Sequence, residues 1–187
     1  MSAPAIKYGP KTIDDFDALP EDNTRRYELI NGEIIVTSRP MPTHQRVMAK
    51  LLVALDRSLP PGYEAVTETA IGFDDRKQGC VPDLLVLRPG VTWNRSRFHS
   101  DDVALAVEII SGTVRLDRET KRSIYAAAGI PTYWMVLPDP FQIIVNRLVG
   151  HWYTVAEDVT GDELIMTEPF EAKIDLSAVR RAANGEA

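Results

Sequence analysis

A single cysteine, Cys80, stands in 187 residues. That scarcity excludes an internal disulfide framework and any zinc module built on several thiolates. Next to Val81, Cys80 reads as a small buried hydrophobe. Histidine is almost as rare, and His44, His99 and His151 show no ligand spacing. Positive charge is also short: 21 Lys and Arg against 27 Asp and Glu leave a net charge of −6. That balance counts against a broad basic surface for coating nucleic acid, although a local basic groove is compatible with it. Long apolar runs are missing too. The longest uncharged stretch, 123–138, is too short to span a bilayer and is broken by Gly129 and Pro131, so no membrane role follows. Residues 1–11 lack the apolar core of a signal peptide. Together these absences point to a cytoplasmic protein.

What is present is enough for one real core. With 44% hydrophobic residues and no internal repeat, low-complexity block or linker, the chain reads as one domain, 1–187, with its core at about 12–170.

Two strand-length apolar runs dominate the middle of the chain: Val81-Pro82-Asp83-Leu84-Leu85-Val86-Leu87 and Val103-Ala104-Leu105-Ala106-Val107-Glu108-Ile109-Ile110. A run without polar alternation reads as a strand buried on both faces. Each carries one acid, and buried acids need a partner or a metal. If the strands pair antiparallel across the loop 89–102, with Arg88 opposite Val103, Asp83 falls directly opposite Glu108. Opposed Cβ atoms sit about 5 Å apart, where like charges repel. The pairing therefore predicts a cation between the acids, or one acid with a strongly raised pKa.

After a loop at 111–116, Asp117 reads as the N-cap of a helix from Arg118 to about Ala128, stopped by Gly129 and Pro131. Its inward stripe is Ile124, Tyr125 and Ala128, and Lys121 lies on it one turn earlier. A lysine there either snorkels at the stripe edge or points at the sheet that carries the acids.

Elsewhere the signals are local. Thr12 caps a short helix that ends at Leu19-Pro20, and a charged loop covers 21–26. Asn31-Gly32 marks a hairpin between Tyr27–Ile30 and Glu33–Val36, in which Glu28 shares a face with Ile30. Glu28 is either an exposed strand residue or part of the acid cluster, while Glu33 reads as solvated. A turn at 38–42 leads to Thr43, which caps a helix to about Leu59 with His44 in its first turn. There His44 is either a phosphate contact or an ordinary cap-region residue. A strand over Tyr63–Phe73 and a charged turn at 74–78 precede the first acid-bearing run. The loop segment from Trp93 to His99 interleaves aromatics with Arg95 and Arg97. Such a segment stacks bases or forms a satellite cluster, and its place away from the acids favours the cluster. Strands follow at Thr132–Leu137 and Phe141–Val145. Weaker ones at His151–Ala156 and Glu163–Met166 suit a peripheral sheet or a dimer contact, and the tail from Arg180 should fray.

The ordered set Tyr27-Glu28-Leu29-Ile30-Asn31-Gly32-Glu33, Pro82-Asp83, Val107-Glu108-Ile109-Ile110-Ser111, Asp117 with Lys121 and Tyr125, and Gly129-Ile130-Pro131-Thr132-Tyr133-Trp134 resembles the Uma-two family of "putative restriction endonucleases" within the PD-(D/E)xK nuclease superfamily. The resemblance runs from about Ile13 to Phe170. It implies an α/β fold with a restriction-endonuclease-like core: a central mixed sheet flanked by helices, preceded by the hairpin. The superfamily lysine usually stands two residues after the Glu, where this chain has Ile110. The resemblance moves that role to Lys121.

What it implies chemically is a Mg²⁺-dependent endodeoxyribonuclease, with Mn²⁺ able to substitute. Asp83, Glu108 and the Ile109 carbonyl would hold the metal, and Lys121 would act on the attacking water or the developing charge. Glu28 would be an accessory and His44 a substrate contact. DNA and a second copy of the chain, in a homodimer, would be the partners. Two other readings stay open. One is a catalytically inactive nuclease-fold protein that serves as a nucleic-acid-binding or assembly module. The other is a plain structural role for the acids, protonated or paired with arginines such as Arg115.

Overall fold

The computed structural model describes residues 11–19, 25–38, 41–73, 76–110 and 115–186. The turns and loops expected at 21–26, 38–42, 74–78 and 111–116 fall partly outside them. In chain order the elements are α1 (Ile13–Asp17), β1 (Arg25–Ile30), β2 (Glu33–Ser38), α2 (Pro42–Ser58), β3 (Glu64–Thr67), β4 (Ile71–Gly72), β5 (Gly79–Cys80), β6 (Leu84–Leu87) and β7 (Phe98–His99). A 3-10 turn (Ser100–Asp102) leads to β8 (Val103–Ile109), α3 (Arg115–Ala127), β9 (Thr132–Pro138), β10 (Phe141–Val149), β11 (Trp152–Val159), β12 (Glu163–Met166), β13 (Ala172–Asp175) and α4 (Ser177–Ala183).

The fold is mixed α/β. Its central sheet has six strands in the order β11-β10-β9-β8-β6-β3. It is mixed because β8 and β9 run parallel while the other neighbours are antiparallel. Against one face pack α2, α4 and the small β12–β13 hairpin, enclosing Leu84, Leu105 and Val107 among others. Against the other pack α3 and a five-stranded sheet, β2-β1-β5-β4-β7, enclosing Leu85, Ala106 and Tyr125. Cover on both faces is why β6 and β8 are apolar without alternation. Each fully buried leucine there contributes about 2 kcal/mol.

The expected pairing of the two acid-bearing segments is present. Leu84 pairs with Val107, Leu85 with Ala106 and Val86 with Leu105, before a bulge shifts Leu87 onto Val103. The ladder ends at Leu84↔Val107, and Asp83 and Glu108 are the next residues on either side. The bulge puts Arg88 beside Asp102, to whose carbonyl its N–H donates at 2.8 Å, and not opposite Val103. Asn31 and Gly32 both take positive φ, 50° and 79°, as the tight hairpin between β1 and β2 requires.

Several expectations are corrected. The strand expected from Val81 begins only at Leu84. Pro82 has no N–H to give a ladder, so Asp83 sits in the bend before β6. The single strand expected over Tyr63–Phe73 is two, β3 in the central sheet and β4 in the other. Glu68, at φ +47°, turns the chain between them. The second helix starts at Pro42 with Met41 as N-cap, not Thr43, because a proline at the first helical position loses no hydrogen bond. The third starts at Arg115, which puts Asp117 inside the helix and not at its N-cap. Trp152–Val159 joins the central sheet as its edge, and only β12 with β13 forms a peripheral pair. The tail does not fray at Arg180: α4 packs onto α2 and buries Val179 and Ala182.

Candidate active site

Alternation along β8 aims the site. Val107 and Ile109 face the α2 core, so Glu108 between them faces α3 and the smaller sheet. Asp83 lies across from it, 2% exposed against 5% for Glu108. Onto these two acids the fold brings side chains from three distant elements.

From α3 comes Lys121. It is 5% exposed, on the inward stripe with Ile124 and Tyr125. Its Nζ lies 3.1 Å from Oε1 of Glu108 and 2.9 Å from Oε1 of Glu28. One turn on, the Tyr125 hydroxyl donates to the same Glu108 oxygen at 2.7 Å. The lysine therefore points at the sheet and does not snorkel. From β1 comes Glu28, which also accepts from the Val81 N–H at 2.9 Å. It is buried and belongs to the cluster, while Glu33 past the turn is exposed.

From α2 comes His44. The helix packs on the opposite face of the sheet, but its first turn reaches the sheet end, where His44 Nε2 meets Asp83 Oδ2 at 3.0 Å. The anion at this helix start is thus a protein carboxylate. The Ile109 N–H donates to the same oxygen at 2.7 Å. Arg26, on β1, donates to Asp83 Oδ1 at 2.8 Å and bridges to Glu68. Ile109 meets the site through its amide, and the side chain of Arg115 lies outside the described residues.

Burial sets the electrostatics. It is the largest influence on Glu108 and, with Asp83 and Glu28 nearby, pushes its carboxyl up to about 8 against the pull of Lys121 and Tyr125. Burial also acts on Asp83, but the His44 and Arg26 contacts outweigh it and hold that carboxyl below its ordinary range. Burial and the Glu108 charge raise the Tyr125 hydroxyl well above its usual value. Three acids face two fixed cations, and the surplus appears as the raised Glu108.

That surplus decides the fit to a metal. Among the described residues no three of His, Cys, Asp or Glu form a ready coordination cluster, since Asp83 is turned to Arg26, His44 and the Ile109 amide. Mg²⁺ keeps several waters and is often held by one or two carboxylates, with oxygen as its preferred donor. Two neighbouring carboxyl groups, one of them able to give up its proton to a bound cation, fit such an ion.

Arg26, Glu68 and the role of Tyr125 were not legible as site features in the sequence. One signal existed: Arg26 stands two residues before Glu28, hence on the same face of a strand. The Trp93–His99 segment is a satellite cluster. Trp93 packs edge-on to Phe98 at 5.5 Å, Arg95 lies over the Phe98 ring and pairs with Asp102, and Arg97 pairs with Asp17. A groove of about 720 Å³ beside α3 shares none of the site residues, and its acids Asp101 and Glu119 disfavour phosphate.

The chain has relatives. The model of the Uma2 family, described as "Putative restriction endonuclease", matches residues 13–179. A crystal structure of a "putative nuclease belonging to DUF820" from Anabaena variabilis superposes with a TM-score of 0.71 at 17% identity, covering 93% of this chain and 99% of that one. At that identity the likeness shows the fold. No curated protein matches the chain.

Proposed function

This chain belongs to the Uma2 family, and from that premise we propose that it is a Mg²⁺-dependent endonuclease hydrolysing phosphodiester bonds in DNA. The observation that carries the reading is the adjacency of Asp83 and Glu108, each one residue past the Leu84↔Val107 pair of β6 and β8, with Lys121 on Glu108. Asp83 and Glu108 would hold the metal, with the Ile109 carbonyl as a further oxygen donor. When bound, Mg²⁺ supplies a water of lowered pKa and positive charge beside the phosphoryl oxygens.

The chain's own residues do the rest. Lys121 would orient the attacking water and stabilise negative charge building on the phosphate, a role supported by its ammonium lying beside Glu108. Glu28, as a second carboxylate on the same ammonium, helps hold the lysine in that position. Tyr125 fixes the Glu108 carboxylate. His44 locks Asp83 through Nε2; its Nδ1 is buried without a hydrogen-bond partner among the described residues, and a substrate contact there would require that atom to be uncovered. Cleavage of both strands is conveniently done by two sites related by a two-fold, so the working unit is a homodimer in the cytoplasm. Among the described residues no helix is long and apolar enough to cross a membrane.

The test is an assay on single-stranded, duplex and branched DNA and on RNA, with Mg²⁺, Mn²⁺ or chelator. DNA cleavage that needs the cation and is lost in Asp83→Ala is expected. Cation-tight DNA binding with no cleavage of any substrate would instead identify an inactive binding module.

A further inference from the structure

Asp83 accepts three hydrogen bonds, and they are not equivalent. The Ile109 amide is fixed in β8, and His44 is 5% exposed. Arg26 differs on two counts. Its side chain is 18% exposed, and its guanidinium already holds a second carboxylate, Glu68, which is 41% exposed. Nη1 goes to Asp83 and Nη2 to Glu68.

The backbone sets this second seat deliberately close. Thr67 pairs with Leu84 at the end of the β3–β6 ladder. Just beyond, the Glu68 N–H donates to the Asp83 carbonyl at 3.1 Å, and Glu68 takes a positive φ of 47°. A non-glycine residue there is uncommon and costs free energy. The result is an acid held beside Asp83 at the solvent side of an otherwise buried cluster.

A carboxylate has about four lone-pair positions, and Asp83 uses three of them on protein donors. A cation bound there must gain an oxygen now facing a guanidinium. Resting on the metal reading above, we propose that Arg26 is the resident counter-ion of Asp83, displaced when a divalent cation binds, and that Glu68 is the seat that keeps the displaced guanidinium paired. Movement onto Glu68 costs one charge-assisted hydrogen bond and strands no buried charge. Without Glu68 the guanidinium would lose the carboxylate that its Nη2 already holds, and it would compete harder for Asp83.

Mn²⁺ binding, read from the loss of the free-ion paramagnetic resonance signal, tests this without any nuclease assay. Arg26→Gln should bind Mn²⁺ roughly tenfold more tightly, the size of one charge-assisted hydrogen bond. Glu68→Gln should weaken binding several-fold when Arg26 is present and have no effect in the Arg26→Gln background. Equal weakening in both backgrounds would reduce Glu68 to a distant charge and overturn the seat. Unchanged or weaker binding in Arg26→Gln would overturn the counter-ion role while leaving the metal reading intact. A Mn²⁺-soaked crystal of the unaltered protein covers the case in which Arg26→Gln does not fold. An ion at Asp83 with Arg26 turned to Glu68 supports the proposal, and an ion there with Arg26 still on Oδ1 overturns it. No ion at Asp83, in solution or crystal, removes the metal reading and this proposal with it.

Discussion

Lys121 is held by two carboxylates in a nearly dry environment, so its removal has two separable effects. Lys121→Met keeps the stem but leaves Glu28 and Glu108 without their shared cation. Breaking a buried ionic cluster in this way costs about 3–5 kcal/mol, where a snorkelling lysine would cost under about 0.5. Turnover should fall on the order of a hundredfold or more, the size of one lost preorganised donor. Lys121→Arg should not restore it fully, since the guanidinium is larger and planar. Melting curves beside cleavage rates separate the two effects, and an unchanged melting temperature in Lys121→Met would contradict the buried pairing. Tyr125→Phe is subtler. It removes one donor from Glu108 and should cost about 1–3 kcal/mol in urea denaturation. It should also raise the Glu108 pKa further, because the hydroxyl favours the charged form.

At the level of elements, the β6–β8 register makes stability depend on pH. Glu108 ordinarily titrates at 4.5 and here at about 8, so the folded state keeps a proton that the unfolded chain loses. Its stabilising contribution is whole below pH 4.5 and is lost as pH rises to about 8. The steepest slope for one proton is about 1.4 kcal/mol per pH unit. Asp83 works in reverse: its contribution is present above 3.8 and lost as pH falls through its depressed value. Metal-free protein should therefore be most stable near the lower end of the Glu108 window. Urea midpoints from pH 5 to 8 should fall, and saturating Mn²⁺ should flatten the fall by favouring the ionised carboxylate. Midpoints that rise over that range without cation would rule out the burial of a proton on Glu108.

For the whole molecule, a bound cation links site and fold. A ligand at a hundred times its Kd adds about 2.7 kcal/mol of stability, so Mg²⁺ or Mn²⁺ should raise the melting temperature of the native chain and not that of Asp83→Ala. An equal rise in both would place the ion elsewhere. Light scattering tests the homodimer directly, and a strict monomer at high concentration would refute it.

Sequence alone determined the parts that depend on neighbours along the chain. The unbroken apolar runs around Asp83 and Glu108 implied strands covered on both faces, and a period of two then fixed the face each acid would take. An assumed antiparallel pairing across the loop 89–102 then set Asp83 against Glu108, and the Leu84↔Val107 pair agrees with it. Helical spacing put Lys121 on the buried stripe of α3. Where a local rule failed, a local exception was responsible: Pro82 delayed β6, and Glu68 at positive φ divided Tyr63–Phe73 between two sheets. Only the tertiary structure decided what surrounds the acids. β1 reaches the site through its pairing with β5 at Leu29 and Gly79, fifty residues away in the chain. That pairing, with the bonds from Gly32 to Lys77 and from Val81 to Glu28, brings Glu28 to Lys121 and Arg26 to Asp83. α2 brings His44 from the opposite face of the sheet. Periodicity records which face of an element is buried, but not which distant element covers it. That choice is made by sheet order and core packing, and it gave Glu28 and Glu108 a shared lysine and Asp83 an arginine.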